Sequence, residues 1–153
     1  MATARKTTIK RTSATKTGPA FTEEEKSAMK ERAKEVKAAK SGDVDDAAAV
    51  LEKIAEMEDS DRTLAEKVHQ VITEAAPDLA PRLWYGMPAY AKDGKVLCFF
   101  QPAKKFRSRY ATLGFNDVAA LDDGAMWPCA YALMWLPAAD EKKVRALITK
   151  AAG

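Results

Sequence analysis

Four carboxylates in the first half of the chain have the spacing of metal ligands on a helix. Asp45, Glu52, Glu56 and Asp59 fall within a stripe of roughly 60°, provided that one helix persists to its last turn. Carboxylate oxygens suit hard cations such as ferrous or ferric iron. Without His or Cys such a site would be weak and poorly selective, and a solvated helix face has the same pattern. Both interpretations stay open.

A second cluster combines cations with aromatic rings before a predicted strand. Cations can meet backbone phosphates and rings can stack on bases, so this segment is a candidate nucleic-acid contact. The alternative is a solvated hairpin edge, because exposed Lys and Arg also keep edge strands from pairing with other chains. The four cations are Lys104, Lys105, Arg107 and Arg109, and the rings are Phe106 and Tyr110.

The stretch from residue 81 to residue 90 separates a helical period from strand alternation. Gly86 can take a positive φ, and Pro88 pushes the preceding residue towards an extended backbone. If the sheet leaves one face free of helices, the large side chains of this stretch would line a ligand groove or a dimer interface there. A small satellite core under a long loop is the alternative. The groove residues are Trp84, Tyr85, Met87 and Tyr90.

No catalytic constellation is visible in the sequence. The single histidine, His69, falls at the edge of a helical apolar stripe, and neither Cys98 nor Cys129 has a basic neighbour in sequence. Two cysteines indicate reduced thiols, and a chain of 153 residues needs no metal or disulfide to build a core. We therefore expect a soluble cytosolic protein that is not an enzyme, does not bind membranes and requires no cofactor.

Charge divides the chain into three parts although the net charge is only +3. Residues 1–20 hold five cations and no acid, which predicts a disordered basic tail that either solubilises the protein or contacts nucleic acid. Residues 21–42 form a charged helical extension. Residues 43–153 form the folded domain, and its first segment, 43–78, is strongly acidic.

The element pattern predicts an α+β fold. Thr22 and Glu25 form a capping box at the start of a largely solvated helix. Apolar residues at helical spacing predict a second helix from Asp43 and a third from Ser60 or Asp61, followed by a helical turn over 78–83. Strands follow at 89–91 and 95–100 around an Asp-Gly turn, then at 107–115 and 130–136, and a closing helix begins at Asp140. The result is a two-layer sandwich with N-terminal helices, a small antiparallel sheet and a C-terminal helix.

Residues 45–150 resemble the YdhG-like domain of unknown function. The resemblance rests on Trp84-Tyr85-Gly86-Met87-Pro88-Ala89-Tyr90, the Gly94 hairpin, the turn at Ala103-Lys104-Lys105 and the helix that begins Asp140-Glu141-Lys142-Lys143. It implies a frataxin-like fold and, for some members, an intracellular iron-chaperone role, whereas most members have no assigned activity. Two rivals to iron handling stay open: a basic-tailed nucleic-acid-associated protein, and a homodimer that binds a small molecule between its sheets.

Overall fold

The computed structural model describes residues 20–41 and 46–153, so all but the last residue of the predicted tail at 1–20 lies outside the described residues. Within those ranges the chain forms helices that flank one five-stranded antiparallel sheet, which confirms the α+β class. In chain order the elements are α1 (Glu23–Ser41), α2 (Asp46–Ala55), α3 (Asp59–Ala75), β1 (Ala80–Trp84), β2 (Met87–Lys92), β3 (Lys95–Gln101), β4 (Ala111–Phe115), β5 (Ala130–Leu133) and α4 (Ala138–Ala152).

The sheet is a meander with strand order β1-β2-β3-β4-β5. Two-residue turns join its first three strands, and both residues of each turn have positive φ, as type I′ hairpins require. The predicted turn at Asp93-Gly94 is confirmed, with φ of 50° and 77°. The other turn is Tyr85-Gly86, which joins the paired residues Trp84 and Met87.

The helical turn predicted for residues 78–83 is wrong, because Ala80–Trp84 is strand β1. Pro81 is tolerated in this strand because β1 is an edge strand, where a residue without an N–H need not donate to a second neighbour. The β1–β2 hairpin places its turn, Tyr85-Gly86, at one end of the sheet.

The core lies between the sheet and the helices. One sheet face packs on α3 and α4, and the apolar stripe predicted for α3 is buried except for the half-buried Ala75. In α4, Val144, Ile148 and Ala151 are buried and Leu147 is partly buried. The largest fully buried side chains of this core include Tyr90, Phe100, Leu113, Val68, Ile72 and Ile148.

Several element boundaries differ from the sequence prediction. α2 ends at Ala55 and α3 begins at Asp59, so Glu52 and Asp59 lie on different helices. β4 begins at Ala111 rather than residue 107, because Arg107 has φ of 52° and closes a turn with Lys104. β5 ends at Leu133, before the predicted residue 136.

Helix α1 contributes little to the core, as predicted for a largely solvated helix. Its capping box is confirmed: Glu25 N donates to Thr22 Oγ1 at 3.1 Å, and Thr22 N donates to Glu25 Oε2 at 2.9 Å. Of the α1 side chains between residues 23 and 38, Ala28 alone is buried. No helix within residues 20–41 and 46–153 is both long enough and apolar enough to cross a membrane.

Candidate anion-binding site

The β1–β2 turn binds a carboxylate through its backbone. Tyr85 N donates to Glu35 Oε2 at 3.0 Å, and Gly86 N donates to Glu35 Oε1 at 2.7 Å. Successive N–H groups in a turn of this kind form a concavity that suits anions. Arg32 adds a contact of 3.3 Å to the same carboxylate while its guanidinium lies over the Tyr85 ring. The turn and Arg32 together surround the Glu35 carboxylate with donors.

A second carboxylate is held beside the first by two lysines. Glu31 Oε1 is 3.0 Å from Lys53 Nζ of α2, and Glu31 Oε2 pairs with Lys105 of the β3–β4 loop. Lys105 Nζ also lies 3.4 Å from the carbonyl oxygen of Gly86. Burial alone would raise the pKa of Glu31, but Lys105 and Lys53 outweigh it and hold that pKa below its usual value. Glu31 is therefore an ionised ligand of both lysines.

The two carboxylates belong to one face of α1. Glu24, Ala28, Glu31 and Glu35 fall within about 60° around the helix axis. Glu24 extends the pattern, since its Oε1 lies 2.6 Å from Arg107 Nε. Because Ala28 is the buried apolar side chain of this face, α1 docks on the domain mainly through charges. We call the β1–β2 turn together with Lys53 and residues 104–107 the turn site.

Asp61 shows that the neighbouring loop has the same preference for a carboxylate. Asp61 Oδ1 accepts from Ala103 N at 3.1 Å, and Asp61 Oδ2 accepts from Lys104 N at 2.9 Å. Among the described residues, Asp61 is the only charged residue that is buried. Asp61 is an integral part of α3, so this contact fixes the position of the lysine-bearing loop.

Two cavities adjoin the turn site. One of about 470 Å³ lies between α1, α2 and β1, with Lys34, Arg82 and Leu83 in its lining. The other, of about 290 Å³, lies between α2, α3 and the β3–β4 loop, with Lys104 and Met57 in its lining. Both cavities are lined by Glu31, Lys53 and Gly86. The Glu31 side chain and its partner Lys53 therefore lie between the two cavities.

The predicted nucleic-acid contact is largely engaged with acids of the same chain. Lys104 lies 2.9 Å from Glu58, Lys105 pairs with Glu31, and Arg107 pairs with Glu24. Arg109 lies over the ring of its neighbour Tyr110, 5.3 Å from the centroid. Three of the four cations of the loop are thus paired with carboxylates, although the Lys104 and Arg107 side chains remain exposed.

The four residues of the predicted groove do not line one groove. Trp84 and Met87 are cross-strand partners, and Trp84 packs against Phe99 with ring centroids 5.1 Å apart. Tyr85 sits in the turn and is 37% exposed. Tyr90 is buried in the helical core, where its hydroxyl lies 2.8 Å from His69 Nδ1. Met87 and Tyr90 are three positions apart on β2, an odd number, so strand alternation places these two side chains on opposite faces.

The predicted metal ridge is interrupted. Asp45 lies outside the described residues, and Asp59 is on α3, where it pairs with Arg62. Glu52 is on α2, and Glu56 is the first residue after the end of α2. Glu56 lies 3.8 Å from Lys53. Within residues 20–41 and 46–153, no group of three or more His, Cys, Asp or Glu side chains is arranged to hold a metal ion.

The buried titratable groups are poor candidates for reactive residues. Burial raises the pKa of the Cys98 thiol to about 12 and raises the pKa of Tyr90 above its usual value. Burial also lowers the pKa of His69, the boundary residue of α3, so its ring is neutral near pH 7. Near pH 7 these three side chains are all uncharged, and they form a polar cluster between α3 and the sheet.

Sequence reasoning missed Glu31, Glu35 and Lys53 as site residues. The signal that could have found them was the recurrence of glutamate on one face of α1, at positions 24, 31 and 35. A search of protein-family models, of curated proteins and of solved structures found no match to this chain.

Proposed function

We propose that this chain is a non-enzymatic, cytosolic binding protein that holds an anionic ligand at the turn site. The observation that carries the proposal is the Glu35 carboxylate, which accepts hydrogen bonds from both Tyr85 N and Gly86 N. A fold that positions two turn N–H groups and two lysines around carboxylates has the donors that an external anion needs. The ligand would take the positions that Glu31 and Glu35 occupy.

The spacing of those glutamates defines the ligand class. Residues four apart on a helix have Cβ atoms roughly 5–6 Å apart, so a matching ligand carries two anionic groups at about that separation. The turn N–H groups would bind one group, and Lys53 with Lys105 would bind the other. A small, flexible dicarboxylate can place its two carboxylates at this separation.

Helix α1 would act as a tethered competitor of such a ligand. A group attached to the same chain has an effective concentration in the millimolar range or above, so the free ligand must exceed it or bind better. Glu31 and Glu35 therefore lower the apparent affinity of the full chain. Their removal should open the site.

The experiment compares glutarate binding to the full chain and to its Glu31→Ala/Glu35→Ala variant. Glutarate is added while the amide resonances of Tyr85 and Gly86 are followed by NMR. We expect these amides to shift in the variant, with an affinity at least about tenfold higher than in the parent chain because the competitor is gone. Acetate, with a single carboxylate, should bind more weakly.

A matched control separates site binding from the change in net charge. Glu23→Ala/Glu66→Ala removes two exposed helix glutamates away from the turn site and should leave the parent affinity unchanged. Adding Lys105→Ala to the Glu31→Ala/Glu35→Ala variant should weaken binding again. If the Tyr85 and Gly86 amides of the folded double variant do not respond to glutarate, the proposal is wrong.

The resemblance to the YdhG-like family supports the non-enzymatic class and adds iron handling as a second hypothesis. For iron, the described chain offers Glu52 and Glu56, two exposed carboxylates one helical turn apart. One carboxylate in the last turns of α2 and one directly after it make a weak site that would release its metal readily. Nucleic acid is a weaker hypothesis, because Lys104, Lys105 and Arg107 already pair with acids of the chain.

A further inference from the structure

The two edges of the sheet differ in how they are protected. β1 carries Pro81 and Arg82, and α2 packs against it. β5 has the sequence Ala-Tyr-Ala-Leu, with neither a charge nor a proline, and β4 is its sheet neighbour. Edge strands without such protection pair readily with other chains. β5 is therefore the edge that is open to a further strand.

The free backbone groups of β5 can be assigned from its pairing. Phe115 N donates to the carbonyl oxygen of Cys129, so the odd-numbered residues from 129 bond to β4. By alternation, Ala130 and Ala132 direct their N–H and C=O groups away from β4. In an antiparallel pair of two copies of β5 about a two-fold axis at Tyr131, Ala130 of each strand meets Ala132 of the other.

An apolar groove of about 720 Å³ lies beside this edge, between β5 and α4, and Tyr131, Leu133 and Leu147 line it. At its rim, Met134 is 59% exposed and Trp135 is 71% exposed. Large apolar side chains exposed to this extent next to an open strand edge mark an interaction surface. A partner that adds a strand to β5 would cover them.

The charges along the groove identify the partner. The α4 residues that line it include Asp140, Lys143, Leu147 and Lys150, with the acid at one end and a lysine at the other. When this stripe is placed antiparallel to itself about residue 145, Asp140 faces Lys150 of the second copy and Lys143 faces Leu147. The two ends of the stripe are thus complementary to each other across a two-fold axis, as an interface between two copies requires.

We propose that a second copy of this chain docks on this surface, with β5 paired to β5 and α4 antiparallel to α4. The two sheets join into one continuous ten-stranded sheet, and Met134 and Trp135 become buried at the interface. This inference is independent of the turn site, which lies at a different part of the fold.

Sedimentation of the full chain over a range of concentrations tests the proposal. We expect a monomer–dimer equilibrium, and Trp135→Glu should raise the dimer Kd by more than about tenfold because it places a charge in the apolar contact. Leu51→Glu, at an exposed apolar residue of α2, is the matched control and should leave the Kd unchanged.

A charge exchange tests the two-fold geometry itself. Lys150→Glu should weaken the dimer because it faces Asp140 of the partner copy, and Asp140→Lys/Lys150→Glu should restore it. A chain that remains monomeric at all concentrations overturns the proposal. So does a dimer that is weakened equally by Leu51→Glu and Trp135→Glu, or one that the double exchange fails to restore while both variants stay folded.

Discussion

Gly86→Ala measures how closely α1 is docked on the turn site. Gly86 has φ of 74°, a left-handed conformation that costs an L-residue about 1–2 kcal/mol. A Cβ built at this position would also overlap the Glu31 carboxylate and Lys105 Nζ. The substitution therefore adds backbone strain and displaces an ion pair whose two side chains are 23% and 26% exposed. Even at the roughly 0.2–1 kcal/mol that a fully exposed pair contributes, the total loss should be about 1–3 kcal/mol.

Gly94→Ala supplies the matched control. Gly94 has φ of 77° in an equivalent two-residue turn, and a Cβ there would meet nothing within 4 Å. Its replacement reports backbone strain alone. The free energy of unfolding of both variants is measured by urea denaturation, and Gly86→Ala should be the more destabilising. Glu31→Ala should reduce the difference between them, because the overlapping carboxylate is absent. Equal losses at Gly86 and Gly94 would refute the docked position of Glu31.

Two further predictions concern His69 and iron. Because the pKa of folded His69 is lowered, the unfolded chain binds the proton first, so His69 should reduce stability as pH falls below about 6.5. The difference in thermal midpoint between the parent chain and His69→Gln should therefore narrow from pH 7.5 to pH 5.5. A constant difference would contradict this. Ferrous iron should bind weakly and broaden NMR signals first at Glu52 and Glu56. Glu52→Gln/Glu56→Gln should remove that broadening whereas Glu23→Gln/Glu66→Gln should not, and broadening centred elsewhere would exclude the α2 carboxylates.

Local patterns in the sequence predicted the parts of the fold that local physics decides. The capping box at Thr22 and the Asp93-Gly94 turn depend on a few adjacent residues, and both are present as predicted. The apolar stripe of α3 was visible because helical periodicity decides which residues can reach a core. β1 was missed because Pro81 breaks a strand in general but not at the edge of a sheet, and position in the sheet is a property of the whole fold.

The candidate site was harder to predict because its residues come from distant parts of the chain. Glu31 and Lys105 are 74 positions apart, and Glu35 and Gly86 are 51 apart. No local pattern distinguishes a glutamate that docks on a turn from one that faces water. The metal ridge failed for a related reason: its 60° stripe assumed one helix up to Asp59, whereas α2 ends at Ala55.

The composition of the docked face of α1 decides what can displace it. A helix held by an apolar stripe stays in place when salt or a competing anion is added, because burial of apolar surface is not screened. Among the α1 side chains that the structure describes, residues 23–38, this face offers Glu24, Glu31 and Glu35 with Ala28 as the one buried residue, while Met29 and Val36 remain 44% and 41% exposed. Its attachment is therefore electrostatic and open to competition. A carboxylate or phosphate that reaches the Tyr85 and Gly86 N–H groups competes for the contacts that position the helix, so ligand binding and release of α1 are coupled through the same donors.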